Sequence, residues 1–323
     1  MSIIERAAEK LRASQKAGDD SKVSVTPPER TVPQGGSKAS TPELMGSRLL
    51  EAELDHGEPA VAKHRTSVHV DLARLQMEGL LPAEASREQL ASEYRRIKRP
   101  LLANITGRGA VKVDRGELIM ITSALPGEGK TFTAFNLARS LAQESDWEIV
   151  LVDGDNVRQS LTRFMGLESA KGLMDVLSQA HADVDDIVVA TDIPRLLFVP
   201  AGTRHALATE YLSSKHMETV LDRLAGNRNR ILLFDAPPLL GAPEALVLAE
   251  AVGQIIVVVR AGATERKAVA AAVQPLDKKK AINFLLNQVV RVHGDSYGGY
   301  HYGYRYDHLP DAAESGRQRV KKD

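Results

Sequence analysis

The sequence contains no cysteine. That excludes a disulfide framework, a zinc–thiolate site and a thiol nucleophile, and it accords with a reducing compartment. It also lacks an excess of either charge: Lys+Arg and Asp+Glu each number 42, so the chain as a whole has no net field to draw it to nucleic acid or anionic lipid. Any such preference must be local. No apolar run approaches the roughly 18–20 residues that a membrane span needs. The N-terminal MSIIERAAEKLRAS carries charges within its apolar pattern and has neither an h-region nor a small-residue cleavage site, so it does not read as a secretory signal. These absences place the protein in the cytoplasm. Aromatic residues make up only 4%, so any cluster of them needs a reason.

What is present suffices for one main domain with tails: 323 residues at 43% hydrophobic composition can bury one sizeable core. Ser2 and Glu5 have capping-box spacing, and Ile3, Ile4, Ala7, Ala8 and Leu11 make one apolar stripe, which predicts a short amphipathic helix over 1–15. From Ala17 to about Thr66 the chain is rich in Ser, Thr, Pro, Gly and charge, and cannot repay the entropy of ordering, so 16–69 is expected to be a flexible linker. The main domain is expected over 70–292. A second capping box, Ser86 with Gln89, opens a helix that Pro100 is expected to end, with Leu90, Tyr94, Ile97 and Leu101 as its buried stripe. Then ELIMITS, EIVLVD, RLLFVP, RILLFD, GQIIVVV and AINFLLN read as strands between amphipathic helical stretches. Runs apolar on both faces imply an α/β fold with a mainly parallel sheet covered by helices on each side.

Three strand ends carry chemistry. Ala124-Leu125-Pro126-Gly127-Glu128-Gly129-Lys130-Thr131 follows strand ELIMITS and opens helix TFTAFNLARSLA, the context that a phosphate-binding P-loop requires. Its backbone N–H groups and the helix N-terminus form an anion cradle over Pro126 to Phe132, Lys130 reaches β- and γ-phosphates, and Thr131 offers a hydroxyl to Mg²⁺. Ala124 stands where the usual pattern has its first glycine. EIVLVD-Gly-Asp ends in Asp153 and Asp155, which can hold Mg²⁺ through water and accept a proton from an attacking hydroxyl, or cap the following helix. RILLFDAPP ends in Asp235, which reads as a carboxylate orienting water on Mg²⁺.

In combination these motifs resemble the bacterial tyrosine kinases with paired Walker A, A′ and B motifs, from about Val70 to Tyr306. Within that family the chain looks closest to the exosortase-associated tyrosine autokinases of exopolysaccharide loci, through YRRIKRPLL, SALPGEGKTFTAFNLA, MGLESAKGLMDVL, FDAPPLL and the tyrosine tail. The resemblance implies ATP and Mg²⁺ as cofactors, Lys130, Asp153 and Asp155 as catalytic residues with Asp153 as base, and Thr131, Asp153 and Asp235 at the metal. It departs from the family after the second motif, where an arginine is common two residues past the second aspartate; here that place is Val157, with Arg158 next, and Gln159 replaces a frequent proline. Partition and cell-division ATPases share the P-loop class, but their signature lysine, five positions before the P-loop lysine, is here Leu125.

Five of the seven tyrosines, Tyr297, Tyr300, Tyr302, Tyr304 and Tyr306, lie within ten residues among glycines and histidines that offer no core face. Beside a P-loop kinase they read as phosphoacceptors in a disordered tail, 293–323; a sticky, stacking tail is the bland alternative. Glu93, Arg96 and Arg99 have the E-x-x-R-x-x-R spacing that the family uses between subunits of a ring, and otherwise form an ordinary solvated face. The expectation is thus an autokinase that phosphorylates its tail in trans within a ring-like homo-oligomer. It would be recruited to the inner face of the membrane by an adaptor of polysaccharide export, with other exopolysaccharide enzymes as further substrates and no nucleic-acid partner. The rivals are a P-loop ATPase switch and a non-catalytic export scaffold.

Overall fold

The computed structural model describes residues 66–109, 113–179, 181–226 and 229–289. The helix expected over 1–15, nearly all of the expected linker, and the tyrosine cluster lie outside the described residues. Among the described residues no helix is long and apolar enough to cross a membrane.

The chain enters through a two-residue strand, β1 (Ser67–Val68), inside the stretch expected to be linker. Helix α1 (Leu72–Met77) follows, its first turn closed by the Asp71 carboxylate accepting from Arg74 N at 2.9 Å. Helix α2 (Arg87–Ile105) runs through Pro100 rather than stopping there. An interior proline costs about 3 kcal/mol, but Arg96, whose carbonyl loses its donor, is exposed to water. Continuing the helix buries Leu101 and packs Leu102 and Ile105 on the core, and one fully buried Leu alone contributes roughly 1.5–3 kcal/mol. The capping box expected at Ser86 is also absent: its side chain caps nothing, because a 3-10 turn (Glu84–Ser86) leads into the helix with Ser86 already near helical geometry.

Strand β2 (Leu118–Ser123) leads into α3 (Lys130–Leu141), then β3 (Glu148–Asp153), α4 (Ser160–Phe164) and α5 (Leu173–Ser178). An antiparallel pair follows, β4 (Val189–Thr191) and β5 (Leu196–Val199), with α6 (Ala208–Leu212) and α7 (Lys215–Ala225). The chain closes with β6 (Arg230–Asp235), α8 (Pro243–Ala251), β7 (Gln254–Arg260), α9 (Arg266–Val273) and β8 (Ala281–Asn287). All six strands read from the sequence are present. The eight strands form one sheet in the order β1-β4-β5-β3-β6-β2-β7-β8, parallel at every pair except β4–β5.

Alternation along the strands feeds two cores. Leu118, Met120, Val150, Val152 and Phe234 face one layer with α5, α7 and α8; Ile119, Ile121, Ile149, Leu151 and Leu233 face the other with α2 and α3. Burial on both faces is why these strands read as continuous apolar runs. The order places β3, β6 and β2 side by side, with Asp153 opposite Asp235 and Asp235 opposite Ile121, so the three motif-bearing strand ends meet at one edge. Ligands of open parallel sheets bind at such carboxyl ends.

Candidate active site

The glycine-rich loop is held from inside and from behind. Ser123 Oγ donates to Leu125 O at 2.7 Å, and Leu125 N donates to Glu128 Oε2 at 2.6 Å, folding the loop on itself. Gly127 and Gly129 have φ of +83° and +95°, which L side chains rarely adopt, and a Cβ on Gly129 would collide with the Asn287 amide. Glu128 is 2% exposed. Its other oxygen accepts from Arg260 N and from the Thr264 hydroxyl, and its carbonyl accepts from Asn287 Nδ2 at 2.9 Å. The side chain of Glu128 is therefore spent on folding the loop and tying it to the end of β7, while its carbonyl ties the loop to the end of β8. Among the described residues the N–H groups of Gly127, Glu128 and Gly129 donate to no backbone carbonyl, which leaves a donor cradle at the N-terminus of α3. Thr131 and Phe132 continue the helix behind Lys130, with Phe132 O accepting from Asn136.

Lys130 Nζ lies 3.1 Å from Asp155 Oδ2 and 3.8 Å from Asp235 Oδ1, and all three side chains are buried. The second oxygen of Asp155 accepts from Arg158 N at 2.9 Å, so this residue caps the turn after β3 as well as facing the lysine. Asp153 is locked: Oδ2 accepts from Thr162 N and Thr162 Oγ1, both at 2.8 Å, and Oδ1 from Asp155 N at 3.3 Å. Thr162 Oγ1 accepts in turn from Ala201 N, linking α4 to the turn after β5. Burial pushes the Asp153 carboxyl up to about 6, against the hydrogen bonds from Thr162.

Asp235 is fully buried and is pushed up to about 7, first by burial and then by the neighbouring Asp153 and Asp155, against the pull of Lys130. Neither of its oxygens has a hydrogen bond of good geometry, although the Thr131 side chain lies beside it. A buried carboxylate without donors is costly unless a cation or its water shell completes it. No group of three or more His, Asp or Glu among the described residues forms a cage on its own. The donor set fits a hard cation that would bring most of its oxygen ligands with it, with Thr131 and Asp235 as the candidates to hold it.

Other expected site residues are placed apart. Glu93, Arg96 and Arg99 lie on α2 away from the cleft, Arg96 and Arg99 exposed and Glu93 accepting from Gln89 at 3.0 Å. Val157 and Arg158 are exposed beside the cleft. The five tail tyrosines lie outside the described residues. Thr162, Thr264 and Asn287 have no motif to mark them; they are seen only through what they hold.

The model of a family described as an AAA domain matches residues 116–284, more than half of the chain. The tyrosine-protein kinase CpsD of Streptococcus agalactiae is 31% identical over 190 residues, covering 57% of this chain and 81% of that protein. The chain belongs to the bacterial tyrosine kinases. The tyrosine-protein kinase YwqD of Bacillus subtilis is 30% identical over 184 residues, with 56% and 76% covered. Among solved structures the VpsO kinase domain superposes with a TM-score of 0.54 at 28% identity, covering 64% of this chain and 98% of that one. The protein is accordingly a protein-tyrosine kinase built on a P-loop nucleotide-binding domain, and the edge formed by β2, β3 and β6 is its candidate active site.

Proposed function

We propose that this bacterial tyrosine kinase transfers the γ-phosphate of ATP, bound with Mg²⁺, to the tyrosine cluster of its own C-terminal segment, in trans within a homo-oligomer. The observation that carries the reading is the buried Lys130, set at the base of the amide cradle against Asp155 and Asp235. Incoming phosphates would draw Lys130 away from Asp155, leaving that carboxylate free beside the γ-phosphate. Asp155 borders the open cleft whereas Asp153 is locked by Thr162, so Asp155 is the better placed of the two to take the phenolic proton. Asp153 then fixes the turn that carries Asp155, and would help to hold Mg²⁺ only through water. The tyrosyl oxygen forms a bond to the γ-phosphorus, the bond to the β-phosphate oxygen breaks, and ADP departs with that electron pair. Lys130 and the loop amides offset the charge on the transferring group. Mg²⁺, held by Thr131 and Asp235, would supply further neutralisation of the β- and γ-oxygens.

In the exopolysaccharide role supported by the sequence resemblance, the kinase works with a membrane adaptor at the inner face of the membrane and modifies further enzymes of the locus. The test is to incubate the purified chain with ATP and Mg²⁺ and map phosphotyrosine by mass spectrometry. Mixing Lys130→Met protein, which retains its tyrosines, with protein whose five tail tyrosines are Phe should label the Lys130→Met chain. Co-assembly without labelling would sink transfer between subunits.

A further inference from the structure

Beside the Lys130–Asp155 pair lies a cleft of about 240 Å³ that is not filled by any described side chain. It is walled by Pro126 of the glycine-rich loop, Val157 of the turn after β3, and Pro237, Pro238 and Ala242 of the turn after β6, with Asp155 among its lining residues. These walls are rigidly placed. Thr122 Oγ1 donates to Pro237 O at 2.7 Å, and Leu239 N donates to Ser123 O at 2.8 Å, so the proline turn is fastened to β2. Val157 is 61% exposed and Leu240, further along the same turn, is 47% exposed. An exposed β-branched apolar residue two positions past Asp155 serves no packing within the fold. Asn156, Arg158 and Glu244 share the lining with Asp155, so the proline rings and Val157 offer apolar faces to a flat ring while the polar groups can meet its hydroxyl.

We propose that this cleft is the acceptor subsite, taking the aromatic ring of a tyrosyl substrate, with Val157, Pro237 and Pro238 as the residues that select for it. The inference rests on the kinase reading above and adds where the acceptor sits and what chooses it. A serine or threonine hydroxyl on its short stem would leave the walls unfilled while its oxygen stopped short of Asp155. A nucleotide base is the other flat occupant, but it is separated from its own γ-phosphate by the ribose and two phosphates. The cleft instead borders Asp155, whose Oδ2 lies 3.1 Å from Lys130 Nζ. Residues 297–306 supply side chains of the required kind, five tyrosines each separated from the next by one or two residues drawn from Gly, His and Arg.

The test uses the full chain with its five tail tyrosines changed to Ala, which removes both the acceptors and any competing ring, and a synthetic peptide of residues 294–303 as acceptor. Val157→Glu should raise the peptide KM about tenfold relative to the ATP KM, the scale of losing one apolar wall and gaining a charge. Val157→Leu should restore it. Ala242→Leu, which fills the slot from the opposite side, should act like Val157→Glu. A second measurement needs no catalysis: the same peptide with Phe for each Tyr, followed by fluorescence anisotropy on nucleotide-loaded protein, should lose about tenfold in affinity with Val157→Glu. If that variant moves the ATP KM and leaves the peptide KM, the cleft holds the nucleotide and the proposal is overturned. Equal binding of the Phe peptide to both proteins overturns it as well. Should wild type yield no phosphotyrosine while Val157→Glu still weakens Phe-peptide binding about tenfold, the subsite stands and the transfer reading falls.

Discussion

Two lysines of this protein are equally buried, and their surroundings differ. Lys98 on α2 is 6% exposed and is matched: its Nζ donates to Ser140 O at 2.8 Å and pairs with Glu144 at 2.5 Å. Lys130 is also 6% exposed, but it faces Asp155 and Asp235 with Asp153 on the adjoining strand, and the two oxygens of Asp235 lack donors. One region settles its charge; the other keeps acidic capacity in hand, with Asp153 and Asp235 both pushed well above the ordinary carboxylate range. Matched burial marks a structural pair, and unmatched burial marks a place where a charged ligand completes the arrangement.

The comparison breaks most visibly at Lys130. Lys130→Met should abolish phosphotyrosine formation, by at least about a hundredfold, because the charge on the β- and γ-phosphates is lost. Retention of the full phosphotyrosine signal in an ATP/Mg²⁺ assay would remove the residue from the site. The fold should survive, which circular dichroism of the variant checks.

Asp235→Asn sharpens the contrast through pH. In the folded apo protein Asp235 holds its proton up to about 7, whereas the unfolded chain sheds it near 4. Between those values the folded state binds more protons, so stability falls as pH rises from about 4 to about 7. Asp153 adds a similar decline that ends near 6. Asp235→Asn should flatten the Tm-versus-pH curve and raise the apo Tm at neutral pH, while abolishing Mg²⁺-dependent nucleotide binding. Each kcal/mol gained would appear as roughly 2–4 °C. A Tm profile identical to wild type would contradict the assignment of a strained carboxylate.

Lys98→Met should do the opposite, costing about 1–3 kcal/mol by leaving Ser140 O without its donor and Glu144 without its partner. Activity per folded molecule should hold. Glu144 is 39% exposed and can be rehydrated, which limits the loss. Urea denaturation measures the cost, and a variant as stable as wild type would show that the pair contributes nothing net.

The smallest stability effect belongs to the outer face of α2. Changing Glu93, Arg96 and Arg99 together to Ala should shift unfolding by no more than about 0.5 kcal/mol per site. Sedimentation should nevertheless show weaker self-association, and an unchanged oligomer would end the interface proposal.

The six core strands and the glycine-rich loop were legible because their signals are local: apolar runs of strand length, a Gly-Lys-Thr end, and carboxylates at strand ends. The short strands β1 and β4 at one end of the sheet, of two and three residues, were not, since pieces that short carry no periodicity. Pro100 misled for a related reason. A proline's local cost is fixed, but whether a helix continues depends on what lies beyond it, here the core contacts of Leu101, Leu102 and Ile105.

The sequence by itself determined the class of chemistry, because a phosphate loop and acidic strand ends are built from adjacent residues. Only the tertiary structure decided how the three aspartates divide. Asp153 is tied down by Thr162 from α4, Asp155 is shared between Lys130 and its own turn, and Asp235 is left without a donor, since each fate is set by a segment remote in sequence. Glu128 shows the same separation most plainly. Within the motif it reads as part of a nucleotide cradle, yet its carboxylate is consumed by Arg260 N and Thr264, because a buried charge bonds to whatever donors the fold brings beside it.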